Sequence, residues 1–230
     1  SGSTFFRDIF FRFVYYFLNM KFSKILFLAF FLLVGDFTIS QVNLDSLFLV
    51  WNDTTQKDSS RLKAIHKIAW NGYLSSNSDS AFYFAQMHYD FAMKVDDKKN
   101  MAKALHTKGS LFYNKRNHEK AFEYIEKELK ILEELGDKQS KQRMMRSCDL
   151  MSSIVLYLGN KEKRLDYFEK RLKIAEELGD KKEIWKSYHN IGSFYAWIHI
   201  GNYEKGLEYF QKSLNIAKER GDKGDMSFNY

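Results

Sequence analysis

The side chains best suited to hold a metal or move a proton are six histidines, His66, His88, His106, His118, His189 and His199, and the lone Cys148. A neutral imidazole is a good ligand for transition metals, and its titration near pH 6.5 suits acid–base work. No two of the histidines stand at a recognised ligand spacing such as HExxH. Cys148 has no second cysteine with which to form a zinc site or a disulfide. It falls among apolar positions and reads as a small buried hydrophobe. The chain contains no Walker-type glycine–lysine loop, no GxGxxG and no GxSxG. The acidic pairs Glu133-Glu134 and Glu176-Glu177 lie at the ends of helical patterns and read as solvated faces. These residues therefore predict no catalytic centre, no metal site and no cofactor, and the chain reads as not an enzyme.

The elements that must position these groups follow from a recurring decapeptide. "LKIAEELGDK" at 172–181 returns as "LKILEELGDK" at 129–138 and "LNIAKERGDK" at 214–223, with a fainter copy, "YDFAMKVDDK", at 89–98. A period near 40 residues is the mark of a repeat array. Upstream of each corner, apolar residues recur at helical spacing: Ala121, Phe122, Ile125 and Leu129 in the second copy, Leu165, Phe168 and Leu172 in the third, Leu207, Phe210 and Leu214 in the fourth. Gly136, Gly179 and Gly221 stand where a helix needs a left-handed residue at its end. Asp180, three residues before Glu183, starts the next helix. "GNYEK", "LGNKEK" and "KRNHEK" mark the turn inside each copy. The pattern predicts four helix–turn–helix units over 62–95, 101–135, 140–178 and 183–220. "GDMSFNY" at the end aligns with the first helix of a fifth unit, which predicts a longer natural protein.

This register resembles the tetratricopeptide repeat in a form of about 40 residues, over residues 61–230. The second copy matches the family pattern at Gly109, Phe112 and Ala121. The fourth matches at Gly192, Tyr195 and Phe210, with Gly206 in place of the usual alanine. The third fits at Ser152 and Gly159 but has Arg164 where alanine is expected, so Arg164 should point outward or snorkel. The first keeps Ala69 and Ala81. The family's closing proline is absent, and the fourth copy carries two extra residues between Tyr195 and Gly201. The resemblance implies an all-α, right-handed superhelical solenoid of antiparallel helix pairs, four repeats plus a truncated fifth, with the first helix of each pair lining the concave face. Leu105, Phe112, Ala121 and Ile125 should pack together, as should Tyr188, Ile191, Tyr195 and Phe210. A fully buried Phe210 would cost about 3–5 kcal/mol on truncation to alanine.

The segment before the array divides into three. Residues 1–19 precede a plausible start methionine and read as a non-native upstream extension. Residues 20–40 have a basic start (Lys21, Lys24), a ten-residue apolar run from Ile25 to Val34 and small residues at the end, the layout of a secretory signal peptide. The protein is therefore expected to be exported, to the periplasm, with membrane contact only through that segment or one downstream. Residues 41–60 form a linker, in which "VNLDSLFLVW" is expected to be a short helix covering the first repeat and "NDTTQKDSS" a loop.

The net charge is +7 (36 basic against 29 acidic residues), an excess that favours acidic partners but is far below that of a nucleic-acid arm. The resemblance places the family's inward-facing positions at Lys63 and His66, Lys103 and His106, Arg146 and Asp149, and Lys186 and His189, with Trp70, Tyr73 and Tyr113 nearby for apolar contact. Residues three apart share a helix face, so stacking would build a basic, titratable ladder suited to an acidic or carboxylate-ended protein or peptide, bound more tightly at pH 6 than at pH 8. The function expected is an exported interaction scaffold, the sensory N-terminal region of a longer signalling protein. Two alternatives stand beside it: the non-catalytic part of a nucleotide cyclase or histidine kinase whose output domain lies elsewhere, and a helical nucleic-acid binder. The last is opposed by the modest charge and the signal-like segment.

Overall fold

The computed structural model describes residues 43–198 and 202–221; the signal-like segment, residues 1–19, His199 and the start of a fifth unit lie outside them. Among the described residues there are nine α-helices and no strand. A short α1 (Leu44–Asn52) precedes four antiparallel pairs. The first pair is α2 (Asp58–Lys67, continued as a π-helical segment Ile68–Tyr73) and α3 (Ser78–Lys94). The second is α4 (Lys98–Asn114) with α5 (His118–Leu135), and the third α6 (Lys138–Tyr157) with α7 (Lys161–Leu178). The fourth is α8 (Lys181–Ser193, continued as π-helical Phe194–Ile198) with α9 (Tyr203–Arg220). Each helix packs on the next in sequence, and the first helices of pairs one, two and three also touch one another. The molecule is an all-α solenoid of helix pairs, as the sequence predicts.

Two caps alternate along it. Asp97, Asp137 and Asp180 open the first helices of pairs two to four, their carboxylates accepting backbone N–H groups of the first turn. Asn77, Asn117, Asn160 and Asn202 open every second helix in the same way. The returns are made by left-handed residues: Gly136, Gly179 and Gly221 at the corners between pairs, with Asp96 (φ 53°) at the first corner. Inside the pairs, Gly159 (φ 76°) takes this role in the third and Arg116 (φ 59°) in the second.

The core is a chain of small clusters. Ala121, Ile125, Leu129, Leu132, Met144, Cys148 and Met151 join the second pair to the third, with Phe112 at their edge. Cys148 is fully buried, and burial pushes its thiol up to about 12. Phe168, Ile191, Phe194 and Tyr195 join the third pair to the fourth, where Tyr209 packs against them. Phe210 is only half-buried, against His189, so the full-burial condition for its large truncation cost is not met. The first helix of the fourth pair ends in the π-helical segment Phe194–Ile198, and Gly206 has its reason there. A Cβ at Gly206 would lie 3.2 Å from both the Cβ and the backbone N of Ala196. Arg164 does not simply snorkel: it is half-buried, its guanidinium lies 5.2 Å from the centre of the buried Phe168 ring, and burial lowers its pKa. At the start of the array, α1 packs on α2, and Arg61 lies over both Trp51 (5.1 Å) and Phe91 (4.5 Å).

The equivalence of Arg116 and Gly159 makes a reciprocal test. A Cβ at Gly159 meets nothing within 4 Å, so Gly159→Ala pays backbone strain alone, about 1 kcal/mol. Arg116→Gly should gain up to about 1 kcal/mol by removing the same strain. Equilibrium urea unfolding checks both signs; a neutral pair would mean that these turns are not held left-handed.

Candidate functional site

The helices α2, α4 and α6 bring their inner faces together, and a cavity of about 220 Å³ between them is lined by His66, Trp70, His106, Arg143 and Arg146. Beside it a second cavity, of about 160 Å³, is lined by Lys99, Lys103, Leu132, Gln139, Ser140, Gln142, Arg143 and Arg146. A third, of about 270 Å³, lies toward the fourth pair among Arg146, Asp149, Arg171, Asp180, Glu183 and Lys186. Arg146 borders all three. Six of the sequence-predicted residues, His66, Trp70, Lys103, His106, Arg146 and Lys186, thus line one run of cavities. Lys63 stands exposed beside it, near enough to bear on the charge of Lys103.

Three others lie elsewhere. His189 packs against Trp185 (5.9 Å) and Phe210 (5.5 Å), within its own pair. Tyr73 stacks on Phe84 at 5.3 Å in the core beneath α1. Tyr113 sits at the far end of α4, in a recess with Arg116, His118 and Tyr157. Tyr73 ends the π-helical segment and Tyr113 is the penultimate residue of α4, so neither reaches the inner face.

A column of buried polar groups on the second helices organises this face. His88 on α3, Glu128 on α5, Arg171 on α7 and Ser213 on α9 are each no more than 1% exposed. His88 approaches His66 of its own pair (ring centroids 5.4 Å apart) and Asn100 of the next (3.3 Å). Glu128 meets His106 Nδ1 at 2.8 Å and, across the joint, Arg143 Nε at 3.3 Å. The arginine contact is a charge contact and not a well-aligned hydrogen bond. Arg171 meets Asp149 at 2.9 Å in its own pair, and Glu183 and Ser187 in the next. Ser213 donates to the Trp185 carbonyl at 3.3 Å. These four residues stand one position before each recurring decapeptide, so comparing that column across copies would have found them. Arg143 was missed because α6 is three residues longer than α4. Counted from the corner, Arg143 matches Lys103; counted from the turn, Arg146 does.

The expected ladder is therefore not uniform. Cations gather where the buried group is Glu128. Carboxylates gather where it is Arg171, and Asp149 also takes Lys186 (3.3 Å). Burial, with His88 and the nearby Arg143, Lys103 and His106 as further causes, holds His66 down at about 3; burial likewise holds His88 at about 4. His66 is thus uncharged at pH 6 and cannot supply acid-enhanced binding. Lys103 and Arg143 are both pulled below their ordinary values, first by burial and then by charge contacts, which include Arg143 against Lys103 and Arg146 against Arg143. Among the described residues no three His, Cys, Asp or Glu side chains gather as a metal would require. No helix among them is long and apolar enough to cross a membrane.

Comparison with known proteins agrees with this fold. The tetratricopeptide repeat family model matches residues 102–131 and 186–220, within the second and fourth pairs. Two segments, one in each of these pairs, thus match the tetratricopeptide repeat. No curated protein matches it in sequence. Among solved structures it is similar to a signal transduction ATPase with a tetratricopeptide repeat sensor from Pyrococcus horikoshii (TM-score 0.63, 22% identity, 77% of this chain and 27% of that one). It is also similar to aspartyl phosphate phosphatase F from Bacillus subtilis (0.63, 15%, 76% and 44%) and to BtubC from P. vanneervenii (0.57, 16%, 81% and 83%). The chain spans less than half the length of the first two. At these identities the likeness is one of fold.

Two outcomes follow from the buried column. The unfolded chain has histidines at about 6.5 and takes up protons first, so the stability present above that pH is lost as pH falls from 6.5 toward 4. Each histidine contributes a slope of about 1.4 kcal/mol per pH unit. His88→Gln, which keeps a donor for Asn100, should flatten the fall between pH 6.5 and 5; an unchanged slope in urea titrations would sink the assignment. Glu128→Ala should cost about 3–5 kcal/mol, because it leaves Arg143 half-buried without its partner. Thermal unfolding reads this directly, and a loss below 1 kcal/mol would show that the joint does not rest on Glu128.

Proposed function

We propose that the chain is an exported protein-interaction scaffold whose inner face, over the first three pairs, takes an acidic segment of a partner protein. One observation carries this. Lys103 and Arg146 line the central cavities without a carboxylate in ion-pair distance among the described residues, whereas their neighbours Lys99 and Arg143 are paired. Uncompensated cations beside a partly apolar recess with Trp70 are a receptor for negative charge and an aromatic or aliphatic side chain. The fold adds support: repeats of this shape serve as the sensor of the Pyrococcus ATPase, and a Rap protein of similar fold is known bound to competence and sporulation factor. The reading of residues 20–40 as a secretion signal supports export, and a sensory role in a signalling protein fits both. No cofactor, nucleic acid or catalytic step enters this reading.

The test is charge reversal at the two unpaired cations. A pool of nonapeptides rich in Asp and Glu, followed by fluorescence anisotropy, should bind the native chain and lose affinity as salt rises. Lys103→Glu with Arg146→Glu should lower that affinity at least tenfold while leaving the helical circular dichroism intact. Equal binding by the double variant would reduce the face to ordinary solvated surface.

A further inference from the structure

The charges of the central recess can be balanced group by group. Four cations line the cavity between α4 and α6: Lys99, Lys103, Arg143 and Arg146. Two carboxylates form ion pairs with them, and Asp97 bears on Lys103 from beyond that distance. Asp137, which caps α6, takes Lys99 at 3.0 Å, and the fully buried Glu128 takes Arg143. Two positive charges, Lys103 and Arg146, are left over in one small space, with His106 on its other side. The Glu128 contact engages His106 through Nδ1.

We infer that this recess is a receptor for a phosphate monoester dianion, carried either on a side chain of a partner protein or on a free phosphorylated small molecule. It rests on the same face as the acidic-partner reading and narrows its chemistry. Three features favour phosphate over a carboxylate. Two cations stand outside any ion pair among the described residues, which suits a dianion better than a single carboxylate. Arg143 and Arg146 are three residues apart on α6 and so share a helix face, and two guanidiniums offer forked donors that suit the several oxygens of a phosphate. Trp70, lining the adjoining cavity, gives a flat apolar surface for the group that bears the ester. The cations come from two successive pairs, Lys103 from α4 and the arginines from α6, so the dianion would sit across a joint of the solenoid.

The probes are phenyl phosphate, benzoate and inorganic phosphate, and nonapeptide pools with a fixed central phosphoserine, glutamate or serine. Binding to the full chain is read by calorimetry for the small molecules and by retention for the pools. Either phenyl phosphate binding at least tenfold more tightly than benzoate, or the phosphoserine pool retained at least tenfold over the glutamate pool, is the expected result. Which of the two occurs identifies the source of the ester. Arg146→Gln and Lys103→Gln, both outside any ion pair among the described residues, should each weaken that binding at least tenfold; Lys141→Gln, paired with Glu177 on the outer corner, should not. Phosphate and carboxylate probes bound equally would overturn the inference while leaving the acidic-partner reading in place. Phosphate binding unaffected by the two glutamine variants would place the ligand elsewhere and overturn it as well. Failure of every anionic probe, peptide pools included, would overturn both.

Discussion

A carboxylate with no exposed surface, Glu128, is held between the histidine of its own helix pair and an arginine of the next. Taking an ion out of water costs several kcal/mol, and only close partners of opposite charge offset it. In a solenoid this requirement has a directional consequence. The partners must come from both sides of a joint, so the buried group fixes where one pair stands against the next. The same position holds a histidine in the first pair and an arginine in the third, and each recruits partners that suit its own charge. A hydrophobic residue would pack there without choosing a neighbour. A buried polar group accepts only the next repeat that completes it, and this ties the pairs into one order.

The charge of the inner face follows from these joints. A buried carboxylate draws cations to the second joint, and because α6 carries three additional residues it presents both Arg143 and Arg146 there, one more arginine than Glu128 engages. A buried guanidinium draws Asp149 and Glu183 to the third joint, which ends the positive stretch. The face therefore reads as a basic recess beside an ion-paired zone and not as a uniform ladder, although the residues at its outward positions are basic in nearly every copy.

Most of the fold was legible because its signals repeat. The glycine corner, the aspartate after it and the helical stripe recur at one spacing, so errors in any single copy average out. The asparagine caps recur as faithfully, embedded in turns that were recognised without their capping role. What was not legible comes from places where copies differ in length. The extra turn of α6 creates two registers that a single alignment cannot hold together, and Arg143 fell between them. The π-helical continuation of α2 carries Tyr73 into the core beneath α1 while leaving Trp70 on the recess. Tyr209 completes the fourth cluster, while Phe210 packs beside it on Gly192 and His189 of the facing helix. Burial is also invisible in spacing: nothing in the residue pattern says that His66 is enclosed enough to stay neutral while His106 meets a carboxylate.

Stability in such an array is close to a sum of pair and joint terms, and this gives the recess a mechanical meaning. Lys103, on α4, and Arg143 and Arg146, on α6, repel one another across the second joint, a cost set against the contacts of Glu128. An anion lodged between them replaces that repulsion with attraction, and it does so at a joint and not within a pair. By linkage, a ligand that prefers the closed joint stabilises it by RT ln(1 + [L]/Kd). The first joint is held differently, by neutral histidines and an asparagine amide together with the buried Lys108, which donates to Gln86 across it. Binding at the recess would therefore stiffen the array at the second joint, where the cations meet. A receptor built this way reports occupancy through the set of one helix pair against the next, with no need for a moving loop.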